Sequence, residues 1–135
     1  MIFVDTSFWV AFQLPRDSYH ERARLLFEGV RDVPLMTSNH VRGETWTFLL
    51  RRAWHGVGVR FLDALERTER VSVHFVDEAL ERDALDWLRR HDERSYSFVD
   101  ATSFAVMRSL GIREALAFDG DFAAAGFVEL GSAGA

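Results

Sequence analysis

The stretch that decides the fold class is Ile2-Phe3-Val4-Asp5, close to the start of the chain. Its three consecutive β-branched or aromatic residues predict a buried strand over residues 2–4. Asp5 follows at the carboxyl end of that strand, and in an open parallel sheet ligands bind beyond the carboxyl ends of the strands. The opening segment therefore predicts a strand that carries a candidate functional carboxylate at its end.

Predicted helices and strands alternate along the rest of the chain. Hydrophobic spacing and capping residues predict a helical segment after the first strand, then helices over residues 20–30, 40–54, 59–67, 78–91 and 98–110, and a short helix capped by Asp119 or Asp121. Strands are predicted over 34–38, 71–75 and 115–118, with an edge strand at 127–128. This alternation favours an α/β fold with a mainly parallel central sheet, covered by helices on both faces.

A few residues indicate the helix boundaries. His55-Gly56 is expected to end the helix over 40–54, and Gly111 is expected to end the last long helix. Asp77 is expected to cap the helix that carries Asp86 and Arg90, whose i,i+4 spacing indicates a solvent-exposed face.

Composition excludes several classes of protein. The chain has 135 residues and a net charge of −5, which predict a single domain over 1–135 that does not bind nucleic acid over its whole surface. It has no cysteine, and all 16 basic residues are arginines. Thiolate zinc sites, cysteine nucleophiles and lysine-dependent phosphate loops are therefore excluded. Because Asp5 interrupts the apolar start, we expect no signal peptide and no membrane span, and hence a cytoplasmic protein. The tail over 131–135 is expected to be disordered.

Four acidic residues stand where strands are predicted to end or helices to begin. They are Asp5, Glu44, Asp100 and Asp119. Glu44 has no basic partner on its own helical face, where its neighbours are Val41, Thr47 and Phe48. Taken singly, Asp100 can belong to a capping box with Ser97, and Asp119 can be a helix cap. Strand carboxyl ends and helix amino ends lie at one edge of a parallel sheet, so we expect the four carboxylates to converge.

Carboxylates that converge raise one another's pKa, so the cluster is unfavourable unless a cation screens it. Oxygen ligands without cysteine or histidine suit Mg²⁺, with Mn²⁺ as a substitute, rather than zinc. The five histidines have no spacing typical of a metal site. The acidic residues thus predict a magnesium site.

Four segments in order resemble PIN-domain ribonucleases, in particular the VapC-type toxins of bacterial toxin–antitoxin pairs. They are FVDTSFW (3–9), SNHVRGETWTFLLRR (38–52), YSFVDATSFAVMRSLGI (96–112) and AFDGDFAAAGF (117–127). The resemblance implies a three-layer α/β/α fold, a homodimer and an antitoxin whose C-terminal segment occludes the active site. It also implies an acidic metal site of Asp5, Glu44, Asp100 and Asp119, with Asp121 as a weaker fifth member and Ser7 as a polar neighbour.

The segments 39–46 and 96–111 resemble a branch of these toxins that cuts the sarcin-ricin loop of large-subunit ribosomal RNA; transfer RNA is the second candidate. The implied reaction is in-line attack by a metal-activated water, leaving 5′-phosphate and 3′-hydroxyl ends. An acidic pocket repels a polyanion, so nearby arginines must contact the phosphates. The candidates nearest Glu44 are Arg42, Arg51 and Arg52, and those on flanking segments are Arg16, Arg89, Arg90 and Arg94. Trp46 and Trp54 are expected at a protein interface.

Two other functions compete with a toxin nuclease. The first is a catalytically silent PIN-like module that only binds an antitoxin or RNA, and the intact acidic set argues against it. The second is a phosphatase similar to haloacid dehalogenases, because Asp5-Thr6-Ser7 follows the first strand. That chemistry needs a second aspartate where Ser7 stands and a late lysine, and the chain has neither.

Overall fold

The computed structural model describes residues 1–131, so the last four residues of the predicted disordered tail lie outside the described part of the chain. Its core is a five-stranded sheet in the order β3-β2-β1-β4-β5. The strands are β1 (Ile2–Val4), β2 (Leu35–Ser38), β3 (Val71–His74), β4 (Glu114–Leu116) and β5 (Val128–Glu129). All four pairs of neighbouring strands are parallel. This confirms the predicted α/β class, and the sheet that was predicted as mainly parallel is parallel throughout.

Helices connect the strands. They are α1 (Thr6–Gln13), α2 (His20–Gly29), α3 (Asn39–Arg52), α4 (His55–Arg67), α5 (Glu78–Arg90), α6 (Phe98–Leu110) and α7 (Asp121–Ala124). β1 lies in the middle of the sheet, fully buried, with β2 on one side and β4 on the other. The chain therefore adds β2 and β3 on one side of β1, and then β4 and β5 on the other side. The carboxyl ends of β1 and β4 flank the point where the order reverses, which is where open α/β sheets bind ligands.

The predicted boundary between α3 and α4 is wrong. α3 ends at Arg52, and α4 begins at His55, so the His55-Gly56 pair that was expected to end a helix instead opens the next one. Gly58, also inside α4, lies where this helix packs closely on α3: a Cβ at this position would lie 2.7 Å from the Trp46 ring. Close packing between the helices overrides the low helix propensity of glycine.

Smaller differences concern capping and pairing. Neither aspartate caps α7: Gly120, with a positive φ of 82°, is the capping residue, and Asp121 is the first residue of the helix. Asp86 pairs with Arg89 and not with Arg90. Asp77, in contrast, caps α5 as predicted, and its side chain accepts a hydrogen bond from the Leu80 backbone N–H.

The described helices, all within residues 1–131, include none long and apolar enough to cross a bilayer.

Candidate active site

The first candidate carboxylate, Asp5, is built into the junction of β1 and α1. Its backbone N–H donates to the Leu116 carbonyl of β4, 3.0 Å away, which ties it to the neighbouring strand. Its side chain caps α1 by accepting the Ser7 backbone N–H at 3.1 Å, and only 2% of the residue is exposed. Burial raises the pKa of Asp5 well above its usual value, and the Asp119 carboxylate raises it further. This is a carboxylate held in an environment that disfavours its charge.

Ser7 connects the two strand ends that flank the site. Its hydroxyl donates to Asp5 Oδ2 at 2.8 Å and accepts the Phe118 backbone N–H at 3.0 Å. The two bonds are compatible, because the hydroxyl has one proton to donate and lone pairs that accept. The family resemblance implied Ser7 as a polar neighbour of Asp5. Its hydroxyl fixes the position of the Asp5 carboxylate relative to the segment that leads to Asp119.

Substitution of Ser7 by alanine is expected to destabilise the fold by about 1–3 kcal/mol, because it leaves the Phe118 N–H without its acceptor. It also removes a hydrogen bond that lowers the pKa of Asp5, so that pKa should rise further. Urea denaturation of wild type and Ser7→Ala measures the first effect. Ser109→Ala is the matched control, because the Ser109 hydroxyl donates only to a carbonyl of its own helix. Equal stability of wild type and Ser7→Ala would contradict the bridging role.

Asp100 and Glu44 enter the same cleft from α6 and α3. Asp100 forms the predicted capping box: its Oδ2 accepts the Ser97 backbone N–H at 3.0 Å, and Ser97 Oγ accepts its backbone N–H at 2.9 Å. The pKa of Asp100 is nevertheless raised to about 6, mainly by burial, with contributions from the charges of Asp121 and Glu44. Asp100 therefore caps α6 and also lines the cleft, two roles that the sequence presented as alternatives.

The loop 119–121 places the last two acids. Burial, followed by the neighbouring Asp121 carboxylate, raises the pKa of Asp119 to about 6. Asp121 differs, because the Arg94 guanidinium pairs with it, with Nε 2.6 Å from Oδ1. Arg94 Nη2 also donates to the Asp119 backbone carbonyl at 3.1 Å. Arg94 thus forms an ion pair with Asp121, the weaker member of the predicted set, and holds the loop from its solvent side.

Sequence reasoning missed Glu129, which supports this loop from inside. The residue is 6% exposed on β5, and its two carboxylate oxygens accept the backbone N–H groups of Gly120 and Ala123, at 2.9 and 3.2 Å. Its charge contributes to the raised pKa of Asp119. The sequence signal that could have identified Glu129 is its position directly after the predicted edge strand over 127–128.

All five predicted acids line one open cleft of about 480 Å³ at the edge of the sheet. Glu44 also lines a second, adjoining cleft. Of the three arginines predicted near the site, Arg52 lines the first cleft, where its Nη1 lies 3.2 Å from Asp17 Oδ2, and Arg51 lines the second. Arg42 lies elsewhere, with its guanidinium 5.3 Å from the centre of the Phe75 ring.

Trp46 and Trp54, the predicted interface residues, differ in their surroundings. Trp46 is half-buried against Gly58 and packs edge-on to the His55 ring, with the ring centres 5.5 Å apart. Trp54 is 62% exposed, so its ring is accessible to another chain. A role of either residue at an interface stays a prediction.

The donor set of the cleft suits a divalent cation. Asp5 and Asp100 are buried carboxylates whose side chains form no ion pair within residues 1–131, and charge repulsion adds to the cost of their burial. Oxygen-only donors of this kind fit Mg²⁺ or Mn²⁺. In the part of the chain that the structure describes, no three aspartate, glutamate or histidine side chains are grouped closely enough to hold an ion directly. The cleft residues thus fit such a cation in charge and donor chemistry, while their side chains are spaced too widely in this structure to bind one directly.

A parallel α/β domain with carboxylates at its topological switch point has the features of a hydrolase that works with a divalent cation. A model of the PIN domain matches residues 2–128, so the chain belongs to the PIN-domain family. It is 56% identical over 130 residues to the 23S rRNA-specific endonuclease VapC20 of Mycobacterium tuberculosis, in strains CDC 1551 / Oshkosh and ATCC 25618 / H37Rv. That match covers 96% of this chain and 98% of VapC20.

A solved structure supports the same family assignment. The crystal structure of Mycobacterium tuberculosis VapC20, described as a sarcin-ricin loop cleaving toxin, superposes with a TM-score of 0.92 at 54% identity, over 96% of this chain and 98% of that one. The predicted resemblance to VapC-type PIN domains and the predicted fold are confirmed. The phosphatase alternative is excluded by the family.

Proposed function

We propose that the chain is a metal-dependent endoribonuclease, the toxin of a toxin–antitoxin pair, and that it cleaves the sarcin-ricin loop of 23S ribosomal RNA. The observation that carries the proposal is the shared cleft of Asp5, Glu44, Asp100 and Asp119 in a chain 56% identical to a 23S rRNA-specific endonuclease. Transfer RNA is the second candidate substrate. A ribosomal target would place the reaction in the cytoplasm.

Mg²⁺ is the proposed cation, with Mn²⁺ as a substitute, and Asp5, Glu44, Asp100 and Asp119 would hold it. The chemistry that a cation held by these residues would supply is stabilisation of charge on the scissile phosphate and a lower pKa for an attacking water. Asp121 is the weakest proposed ligand, because one of its carboxylate oxygens already pairs with Arg94. Ser7 keeps the Asp5 carboxylate oriented, and the capping box does the same for Asp100.

Local cations must offset the repulsion between this cleft and RNA. Arg52 is 49% exposed at the cleft wall, and Arg51 is exposed in the adjoining cleft, so both can contact phosphates on either side of the reacting bond. The position of Arg42 over Phe75, outside the residues that line either cleft, makes it the weakest of the three proposed RNA contacts.

We also propose a cognate antitoxin that occludes the cleft and a homodimer formed through the exposed face that includes Trp54. A cationic side chain of the antitoxin would neutralise the same carboxylates as a metal. The exposure of the Trp54 ring supports the dimer, since large exposed aromatics favour interfaces.

The test is cleavage of purified 23S rRNA and of bulk transfer RNA in millimolar Mg²⁺, with sequencing of the new 5′ ends. We expect a single dominant 5′-phosphate end within the sarcin-ricin loop, and none with Glu44→Gln or with EDTA. Glu66→Gln, an exposed glutamate of α4 outside both clefts, is the matched control and should cut like wild type. RNA binding without new ends would instead support the silent-module alternative.

A further inference from the structure

We propose that Tyr19 is a stacking platform for an unpaired RNA base at the mouth of the acidic cleft, and so a specificity-determining residue. The inference rests on the proposed function, because it assigns a way to hold the RNA substrate. Tyr19 precedes α2 and lines the same cleft as the acids. Its side chain is well exposed, at 42% for the residue.

The Tyr19 ring is the outer member of an aromatic stack that begins in the core. It lies on Phe118 with the ring centres 4.6 Å apart and the planes 9° apart. Phe118 lies in turn on the fully buried Phe8, at 5.8 Å and 14°. The Tyr19 ring is therefore fixed in orientation before any ligand arrives, which lowers the entropy lost on binding.

This stack is coupled to the carboxylates by short covalent and hydrogen-bonded links. Phe118 directly precedes Asp119 in the chain, and its backbone N–H donates to Ser7 Oγ, which donates to Asp5 Oδ2. A base that stacks on Tyr19 is thereby held in a fixed relation to the acidic cluster. The platform can set which phosphodiester bond lies over the acids.

Asp17 organises the same wall of the cleft. Its Oδ1 accepts the Tyr19 backbone N–H at 2.9 Å, and its Oδ2 binds Arg52 Nη1 at 3.2 Å. The wall thus combines an aromatic face with a half-exposed cation, spaced by one carboxylate. A nucleotide offers the complementary pair, a neutral flat base and an anionic phosphate. The uncharged flat face of Tyr19 beside the Arg52 guanidinium therefore suits a base and its phosphate, and a peptide of the antitoxin is the other occupant that the experiment has to exclude.

The experiment measures binding of a sarcin-ricin-loop RNA that carries 2-aminopurine at successive loop positions, in a Glu44→Gln background that blocks cleavage. Stacking quenches 2-aminopurine fluorescence at the position that contacts Tyr19. Tyr19→Ala and Tyr19→Leu are expected to weaken binding about 5- to 100-fold and to abolish the quench, since base–aromatic stacking is lost. Tyr19→Phe should keep both. Leu25→Ala, which truncates an exposed apolar residue of α2 outside both clefts, is the control and should leave both unchanged.

Tyr19→Leu retains apolar contact with Phe118, so it separates loss of stacking from loss of folding, and melting curves verify each variant. Unchanged affinity and quenching in Tyr19→Leu would overturn the inference, as would an equal loss in Tyr19→Phe. Loss of antitoxin binding with intact RNA binding would assign Tyr19 to the protein partner and also overturn it. If the quench depends on Tyr19 but the wild type cuts no RNA, the stacking role holds and the nuclease proposal fails.

Discussion

Replacement of Asp5 by asparagine is expected to reduce cleavage by about a thousandfold or more, because a catalytic cation contributes several kcal/mol to transition-state stabilisation. Asp5 is the most buried of the acids, and its side chain forms no ion pair within residues 1–131. Asparagine keeps the volume and one acceptor oxygen for Ser7, so the cap of α1 survives while the charge is lost. Single-turnover cleavage of a sarcin-ricin-loop oligonucleotide in millimolar Mg²⁺ measures the loss.

The control for this variant is Asp86→Asn, which removes an exposed acid of α5 paired only with Arg89. It should cut at the wild-type rate. Far-UV circular dichroism of Asp5→Asn should match the wild type, since no packing is disturbed. A turnover of Asp5→Asn within tenfold of wild type would show that Asp5 is not part of the catalytic site.

The convergence of the acids was predictable because a parallel sheet places all strand carboxyl ends at one edge. The apolar run before Asp5 and the Ser97 cap before Asp100 are local sequence signals. From each of them the position of the following carboxylate, at a strand end or in a first helical turn, could be predicted. Features set by adjacent residues and by the order of strands and helices are therefore readable in the sequence.

Contacts that depend on distant packing were not predictable. Gly58 looks unfavourable in a helix until the Trp46 ring lies against it. Arg94 and Asp121 are 27 residues apart, and their pairing requires that the segment before α6 lie beside the loop after β4. Glu129 holds the same loop only because β5 joins the edge of the sheet. The contacts of Gly58 and of the Arg94–Asp121 pair have no local sequence signature, and for Glu129 the one local signal is its position directly after the predicted edge strand.

The second large effect concerns stability without metal, where the Asp100 carboxylate should make the protein less stable as pH rises. Its folded-state pKa is about 6 against an ordinary 3.8. Stability from such a raised pKa is fully present below the unfolded value and is lost as pH rises through the folded one. In EDTA, the free energy of unfolding should therefore fall by up to about 3 kcal/mol from this group between about pH 4 and pH 7. Asp100→Asn removes that loss.

Near neutral pH in EDTA, Asp100→Asn should melt several degrees above wild type, because the cost of burying the Asp100 charge, increased by its acidic neighbours, exceeds the ~1 kcal/mol that an acid contributes at a helix amino end. Mg²⁺ stabilises by binding the folded state, so its addition should raise the wild-type melting temperature more than that of the variant. Asp77→Asn removes the acidic cap of α5, which is exposed and lies outside the cleft, and should show neither effect. If Asp100→Asn melts below wild type in EDTA and gains equally from Mg²⁺, Asp100 is only a helix cap, because a residue of the shared carboxylate site must respond to the cation.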